Sequence, residues 1–191
     1  MMPSITEVLA ILDDQVSAKR LSHMRRVSET ARDLAVQYGA DPTKAALAGL
    51  LHDYAKERPD KDFLEAIETF GLDSDLKNWG NDVWHGFIGS YLIETELGIS
   101  DQDILKAVRY HTTGRPGMSL LEKIVYIADY IEPGRDFPGV EVARELVAHS
   151  LDQAVAYETA HTIAYLAQKG MPIYPKTLET YNSYCQYMKG L

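Results

Sequence analysis

Apolar positions recur along this chain at helical spacing, and short polar clusters cut the pattern into segments. Ser4 and Glu7 have the spacing of a capping box ahead of Val8, Leu9, Ile11 and Leu12. Ser22 opens a second predicted helix. Its Val27, Ala31, Leu34 and Tyr38 share a face, and Gly39 stops it. Asp41-Pro42 is a strong start, because Asp caps and Pro in the first turn loses no hydrogen bond. The segment from Ala45 to Ala55 is apolar almost all round and predicts a buried helix. Pro59-Asp60 starts a helix ending at Gly71, and Asn81 or Asp82 starts another that runs to near Gly98. Ser100 with Asp103 begins a short helix that stops near Gly114. Ser119 with Glu122 is a further capping box, leading into Leu120, Leu121, Ile124, Val125, Ile127, Ala128 and Ile131 before Pro133-Gly134. Helices follow from about Val140 to His149 and on to Gln168, and Thr177 caps a last, Tyr-rich one. Nothing alternates with period two, and no repeat or hairpin signal intervenes. The expected fold is all-α, a single domain over residues 1–191.

Composition narrows the partners. With 28 acidic and 19 basic residues the chain carries a net charge of −9, which argues against nucleic acid. No apolar run approaches the ~18 residues of a membrane span, and the first basic residue, Lys19, is too late for a signal peptide. One cysteine, Cys185, forms no internal disulfide and fits a reducing cytoplasm. A chain of this length buries a core without one.

Chemistry concentrates on a few residues. His23 sits one turn before Val27 on an apolar face, and His52-Asp53 closes the buried segment. His85 lies in Asp-Val-Trp-His-Gly, His111 ends Val-Arg-Tyr-His, and Asp129 sits among Ile124 to Ile131. A carboxylate in such apolar company is costly unless paired or bound to a metal. Lys and Arg are scarce beside these two in sequence. Imidazole with carboxylate suits a first-row divalent metal, and Asp53 has two oxygens with which to bridge two ions. His149 and His161 lie outside these settings and read as structural or surface residues. Tyr181, Tyr184 and Met188 recur at helical spacing; exposed, that stripe would suit a homodimer contact.

His23, His52-Asp53 and Asp129, in that order on helices, resemble the HD superfamily of metal-dependent phosphohydrolases. Four longer strings sharpen the resemblance: Leu-Leu-His-Asp-Tyr-Ala-Lys, Trp-His-Gly, Val-Arg-Tyr-His-Thr-Thr-Gly and Glu-Lys-Ile-Val-Tyr-Ile-Ala-Asp-Tyr-Ile-Glu-Pro-Gly-Arg. They are similar to the YqeK-like bacterial symmetrical diadenosine tetraphosphate hydrolases, over essentially the whole chain. The resemblance implies iron, as one or two ions, with manganese or cobalt as substitutes. His23, His52, Asp53 and Asp129 would be the primary ligands, and His85 and His111 would complete a second position or touch phosphate. Water activated by the metal would attack the central anhydride and release two ADP, with Asp53, His85 and His111 as catalytic residues. Substrate contact is expected from His23, Lys56, Glu57, Arg58, Pro59, His85, His111, Thr112, Asp129 and Arg135. The loop Pro172, Ile173, Tyr174, Pro175, Lys176 and Thr177 is expected to join them. The ligand is then a dinucleoside polyphosphate or a nucleoside diphosphate. Two rival readings keep the same cluster. One is an HD-type hydrolase of nucleoside monophosphates or guanosine tetraphosphate, distinguished by its products. The other is a non-catalytic metal-binding regulatory module.

Overall fold

Side-chain caps fix where the helices begin. The computed structural model describes residues 3–189, so the outermost two residues at each end of the expected domain lie outside it. Among the described residues there are α-helices and two 3₁₀ turns, and no strand. In chain order the helices are α1 (Ile5–Gln15), α2 (Ala18–Tyr38), α3 (Pro42–Leu51), α4 (Asp60–Thr69), α5 (Asn81–Phe87) and α6 (Gly89–Leu97). They continue as α7 (Gln102–Arg109), α8 (Leu120–Ile131), α9 (Val140–His149), α10 (Leu151–Gln168) and α11 (Pro175–Tyr184). The 3₁₀ turns are Ser74–Asn78 and Cys185–Met188. Both capping boxes form: Ser4 and Ser119 accept from the amides of Glu7 and Glu122, whose carboxylates accept from the cap amides. Asp41 caps α3 with Pro42 in its first turn.

Several boundaries differ from the sequence expectation: the single helix expected from Asn81 to near Gly98 is broken at Ile88 into α5 and α6, and α7 is capped by Asp101 rather than Ser100 and ends at Arg109. Helix α2 starts at Ala18 rather than Ser22, because Ser17 is the cap and accepts from Arg20 N. The Ser17 amide and hydroxyl in turn donate to the Glu57 carboxylate. Helix α3 stops at Leu51, short of Ala55. There the His52 Nδ1 engages the Gly49 carbonyl at 2.7 Å, so the side chain takes over a helix-end acceptor. Helix α11 starts at Pro175, ahead of Thr177.

Four helices, α2, α3, α7 and α8, form the centre: α2 packs on α3 and α8, and α7 packs on the same two. Helix α3 is apolar all round because it lies inside this group. Its Ala45, Leu47, Ala48, Leu50 and Leu51 are all buried. Gly49 lets it approach α2 closely; a Cβ there would lie 3.0 Å from the Val27 carbonyl oxygen. Helix α10 covers α8 from outside and packs against α9 and α11. The Tyr126 and Thr159 hydroxyls tie α8 to α10 at 2.9 Å. Tyr184 is buried against this assembly while Tyr181 stays exposed, so the Tyr-rich stripe is split between packing and surface. No helix among the described residues is long and apolar enough to cross a membrane.

Candidate metal centre

The helix ends aim the histidines inward. At the end of α3, His52 Nδ1 meets the Gly49 carbonyl, and beyond α7 His111 Nδ1 meets the Val108 carbonyl, both at 2.7 Å. The two sites repeat one device, in which a histidine takes the carbonyl three residues back and turns its Nε2 to the centre. His85 on α5 donates from Nδ1 to the Asn81 carbonyl at 2.6 Å. His23 on α2 donates from Nδ1 to Glu132 Oε1 at 3.0 Å. With all four Nδ1 atoms donating, all four Nε2 atoms carry lone pairs.

Those lone pairs converge. His23 Nε2 lies 3.2 Å from His52 Nε2, and His85 Nε2 lies 3.1 Å from His111 Nε2. Acceptors facing acceptors at that range need a shared cation or an added proton. Two carboxylates complete the set. Asp129 Oδ1 is 3.1 Å from His23 Nε2 and 3.7 Å from His52 Nε2. Asp53 spans both pairs: Oδ2 lies 3.3 Å from His52 Nε2, while Oδ1 lies 3.3 Å from His85 Nε2 and 3.9 Å from His111 Nε2. Among the described residues, two overlapping groups have donor atoms close enough to hold an ion, His23–His52–Asp129 and His52–Asp53–His111. Imidazole and carboxylate donors with buried partners behind them fit a divalent transition metal. Of the four, His23 has a carboxylate behind its Nδ1, that of Glu132, which fixes the tautomer and the ring's orientation.

Electrostatics favour this use at His85 and His111, while at His52 burial is outweighed by the Asp53 and Asp129 carboxylates, which raise the imidazole. Burial pulls His85 down to about 4 and His111 to about 3, the latter helped by its imidazole neighbours. Both are therefore neutral near pH 7, the form in which an imidazole can bind a metal. Burial pushes the Asp53 carboxyl up, but His52, His85 and His111 outweigh it and hold it well below the usual carboxylate range. Asp129 is lowered too, with burial overcome by the His23 hydrogen bond and the His52 and Arg135 charges. Glu132 is held at about 2: the Arg26 guanidinium and the Gly134 amide, with His23, outweigh its burial.

A cavity of about 620 Å³ opens over this floor. Asp53, His85 and Asp129 reach its surface, while His23, His52 and His111 lie beneath. Of the expected substrate contacts, Lys56, Thr112, Arg135, Pro172, Tyr174 and Thr177 line it. The Thr112 hydroxyl sits 3.2 Å from His111 Nε2 and 3.3 Å from His85 Nε2. Other expected contacts fall elsewhere. Arg58 forms a two-pronged pair with Glu96 over the Tyr54 ring and lines a separate groove. Glu57 holds Ser17, Pro59 precedes α4, and Lys176 pairs with Glu179 outside the cavity lining. Ile173 and Pro175 also stay out of the lining. For Glu57 and Arg58 the reason is the run of tight turns after His52, which sends neighbouring side chains in different directions. Two important residues escaped the sequence reading. Arg20 donates from Nη1 to Asp53 Oδ2 at 2.5 Å, and its buried Nε, 3.8 Å from Glu57 Oε1, has no hydrogen-bond partner among the described residues. Trp79 stands edge-on to Tyr174 at 4.8 Å across the far wall.

Residues 20–134 match the HD domain family. The chain is 44% identical to the symmetrical bis(5′-nucleosyl)-tetraphosphatase of Bacillus subtilis, over 92% of this chain and 95% of that protein. It is 45% identical to the enzyme of the same name from Halalkalibacterium halodurans, over 92% of this chain and 94% of that one. The Staphylococcus aureus counterpart is 37% identical, over 95% and 94%. Among solved structures, a "predicted HD superfamily hydrolase involved in NAD metabolism" from Clostridium acetobutylicum superposes with a TM-score of 0.92. It is 38% identical and covers 97% of this chain and 99% of that one.

Proposed function

The chain belongs to the HD domain family and, within it, to the symmetrical bis(5′-nucleosyl)-tetraphosphatases, and on that premise we propose that it hydrolyses diadenosine tetraphosphate into two ADP. The supporting observation is the cavity floor, where four Nε2 lone pairs and two carboxylates meet beneath three cationic side chains. In the reaction, a water oxygen bonds to one inner phosphorus and the central P–O–P bridge breaks. The bridging electron pair leaves with the second ADP.

His23, His52, Asp53 and Asp129 would hold the metal, with His85 and His111 at the second position. Iron is the metal we assign there, with manganese or cobalt as substitutes. Bound there, a divalent metal supplies water acidified toward ~7 and neutralises phosphoryl charge. Asp53, facing both histidine pairs, orients the attacking water. Arg20, Lys56 and Arg135 grip the phosphates, and the Thr112 hydroxyl donates to a phosphoryl oxygen. Trp79 and Tyr174 present aromatic edges and faces to one adenine. His85 and His111, held neutral, do not serve as general acids near pH 7. None is needed, because ADP leaves as an anion.

Incubating the metal-loaded protein with diadenosine tetraphosphate and separating the products by chromatography tests this. ADP alone is expected. AMP with ATP, or intact substrate, refutes it. Elemental analysis of protein purified without oxygen checks the assignment of iron.

A further inference from the structure

A second cavity, of about 770 Å³, opens on the other side of Arg135. Arg135, Thr162 and Tyr165 line both cavities, so the two are continuous along one ridge. Loop residues 135–139 and α10 build the second one. Gly139, at φ +96°, lets the loop lie against α10; a Cβ there would come within 2.7 Å of His161 Cε1. Tyr130 and Phe137 form an edge-to-face pair at 4.8 Å on one wall, and Tyr165 is exposed on the other. Polar groups are sparse, chiefly Thr162 and Gln168, with His161 stacked on Tyr157 at 4.3 Å. Among the described residues no carboxylate lines this cavity. At its mouth Arg135 donates through Nε and Nη2 to Asp129, and its Nη1 has no hydrogen-bond partner among the described residues.

We propose that this cavity is the second nucleoside subsite, holding the adenosine of the departing ADP while Arg135 spans the phosphates between the two halves. The inference rests on the activity proposed above, because a substrate with two identical ends has two nucleosides to place. The first cavity offers Trp79 and Tyr174 to one of them. The second offers aromatic walls of the kind that take a nucleobase, a few hydrogen-bonding groups and a cation toward the reacting phosphates. Its contact with the floor runs through the same Arg135 that holds Asp129. Two filled subsites on either side of the metal position would centre the tetraphosphate. They would also favour dinucleotides over chains that end in bare phosphate.

Ala164 lines only the second cavity and is exposed on α10, so Ala164→Trp fills the space without entering the core. The metal-loaded wild type and variant are compared on diadenosine tetraphosphate and on adenosine 5′-tetraphosphate, which has the same phosphates and one nucleoside. The expected result is a fall of about tenfold or more in kcat/KM for the dinucleotide, carried mainly by KM. The single-nucleoside substrate should stay within about twofold. Ala164→Ser, which leaves the cavity open, should behave as wild type on both. Equal losses on both substrates, or no loss on either, overturn the assignment. Failure of the wild type to release ADP from the dinucleotide would instead remove the proposed activity and this subsite with it.

Discussion

Replacing Gly86 with alanine puts a methyl group where the centre has no room for one. A Cβ at this position would lie 3.0 Å from both His111 Cε1 and Nδ1, and 3.2 Å from the Val108 carbonyl oxygen. The backbone itself accepts alanine, since Gly86 lies within α5 and has no positive φ. Helix propensity alone would then favour alanine by about 1 kcal/mol. Overpacking of a tight contact costs about 1–3 kcal/mol, so the net change is a loss of about 0–2 kcal/mol. For a domain of this size that is a fall in Tm of at most about 8 °C. The activity effect should be larger in proportion. His111 yields by rotating away from the Val108 carbonyl, or α5 yields and carries His85 with it, and either motion separates the two Nε2 atoms. Misplacing a ligand through its support typically costs about 10–100-fold in metal affinity or activity. Calorimetry, elemental analysis and turnover on one preparation separate the two effects. Gly80→Ala is the thermal control, because nothing lies within 4 Å of its Cβ and its φ of −129° suits any residue. Gly86→Ala with unchanged Tm and turnover within about twofold of wild type would show that this contact does not set the His111 ring.

Asp53→Ala removes the carboxylate shared by both histidine pairs, so activity should vanish and metal content fall; undiminished turnover contradicts the assignment. Glu132→Gln keeps the shape but removes the anion behind His23, for an expected loss of about 10–100-fold in activity, checked against metal affinity. Lys176→Ala should leave KM within about twofold because Lys176 pairs with Glu179, whereas the loop's sequence position alone would have KM rise. Glu158 tests the pH behaviour of the fold. Its carboxyl is buried with Oε2 unpartnered, and burial, with Asp129, pushes it well above the usual range. The unfolded chain releases this proton near ~4.3 while the folded chain keeps it, so stability falls as pH rises above that point. The Tm of Glu158→Gln should therefore gain on wild type between pH 5 and pH 8, and a flat difference across that range rejects the reasoning.

Two of the candidate ligands were legible because they sit at punctuation. His52 and His111 close helices, and the sequence marks helix ends more sharply than helix faces. Asp129 was legible for another reason, as a carboxylate in an otherwise apolar stretch whose cost demands a partner. The partners themselves were hidden. Arg135 reaches back six residues to Asp129, but Arg20 meets Asp53 across 33 positions, on a helix whose start was misplaced. An exposed-looking arginine in an acidic chain carries no signal of its own. Trp79 follows a 3₁₀ turn, which has no hydrophobic period to read. The second cavity draws its walls from α8, the loop after it and α10, and no local pattern spans those pieces.

An acidic chain proposed to act on a polyanion poses a problem that the pairing in this cavity resolves. Its three cationic side chains are each matched to an acid: Arg20 to Asp53, Lys56 to Asp82, and Arg135 to Asp129. Counted together, the three pairs have no net charge. The protein groups alone therefore make a polar cavity rather than a strongly positive one. Two of the three acids, Asp53 and Asp129, also belong to the groups fit to hold an ion. A divalent cation on those donors would bring the missing positive charge to the floor and would compete with Arg20 and Arg135 for the same carboxylates. On the proposed reading, metal and phosphate would be drawn to one place by one set of residues, and a net charge of −9 outside it would be no obstacle. That charge discourages extended nucleic acids, which need a basic surface, while leaving a small anion free to enter a site whose charge is local.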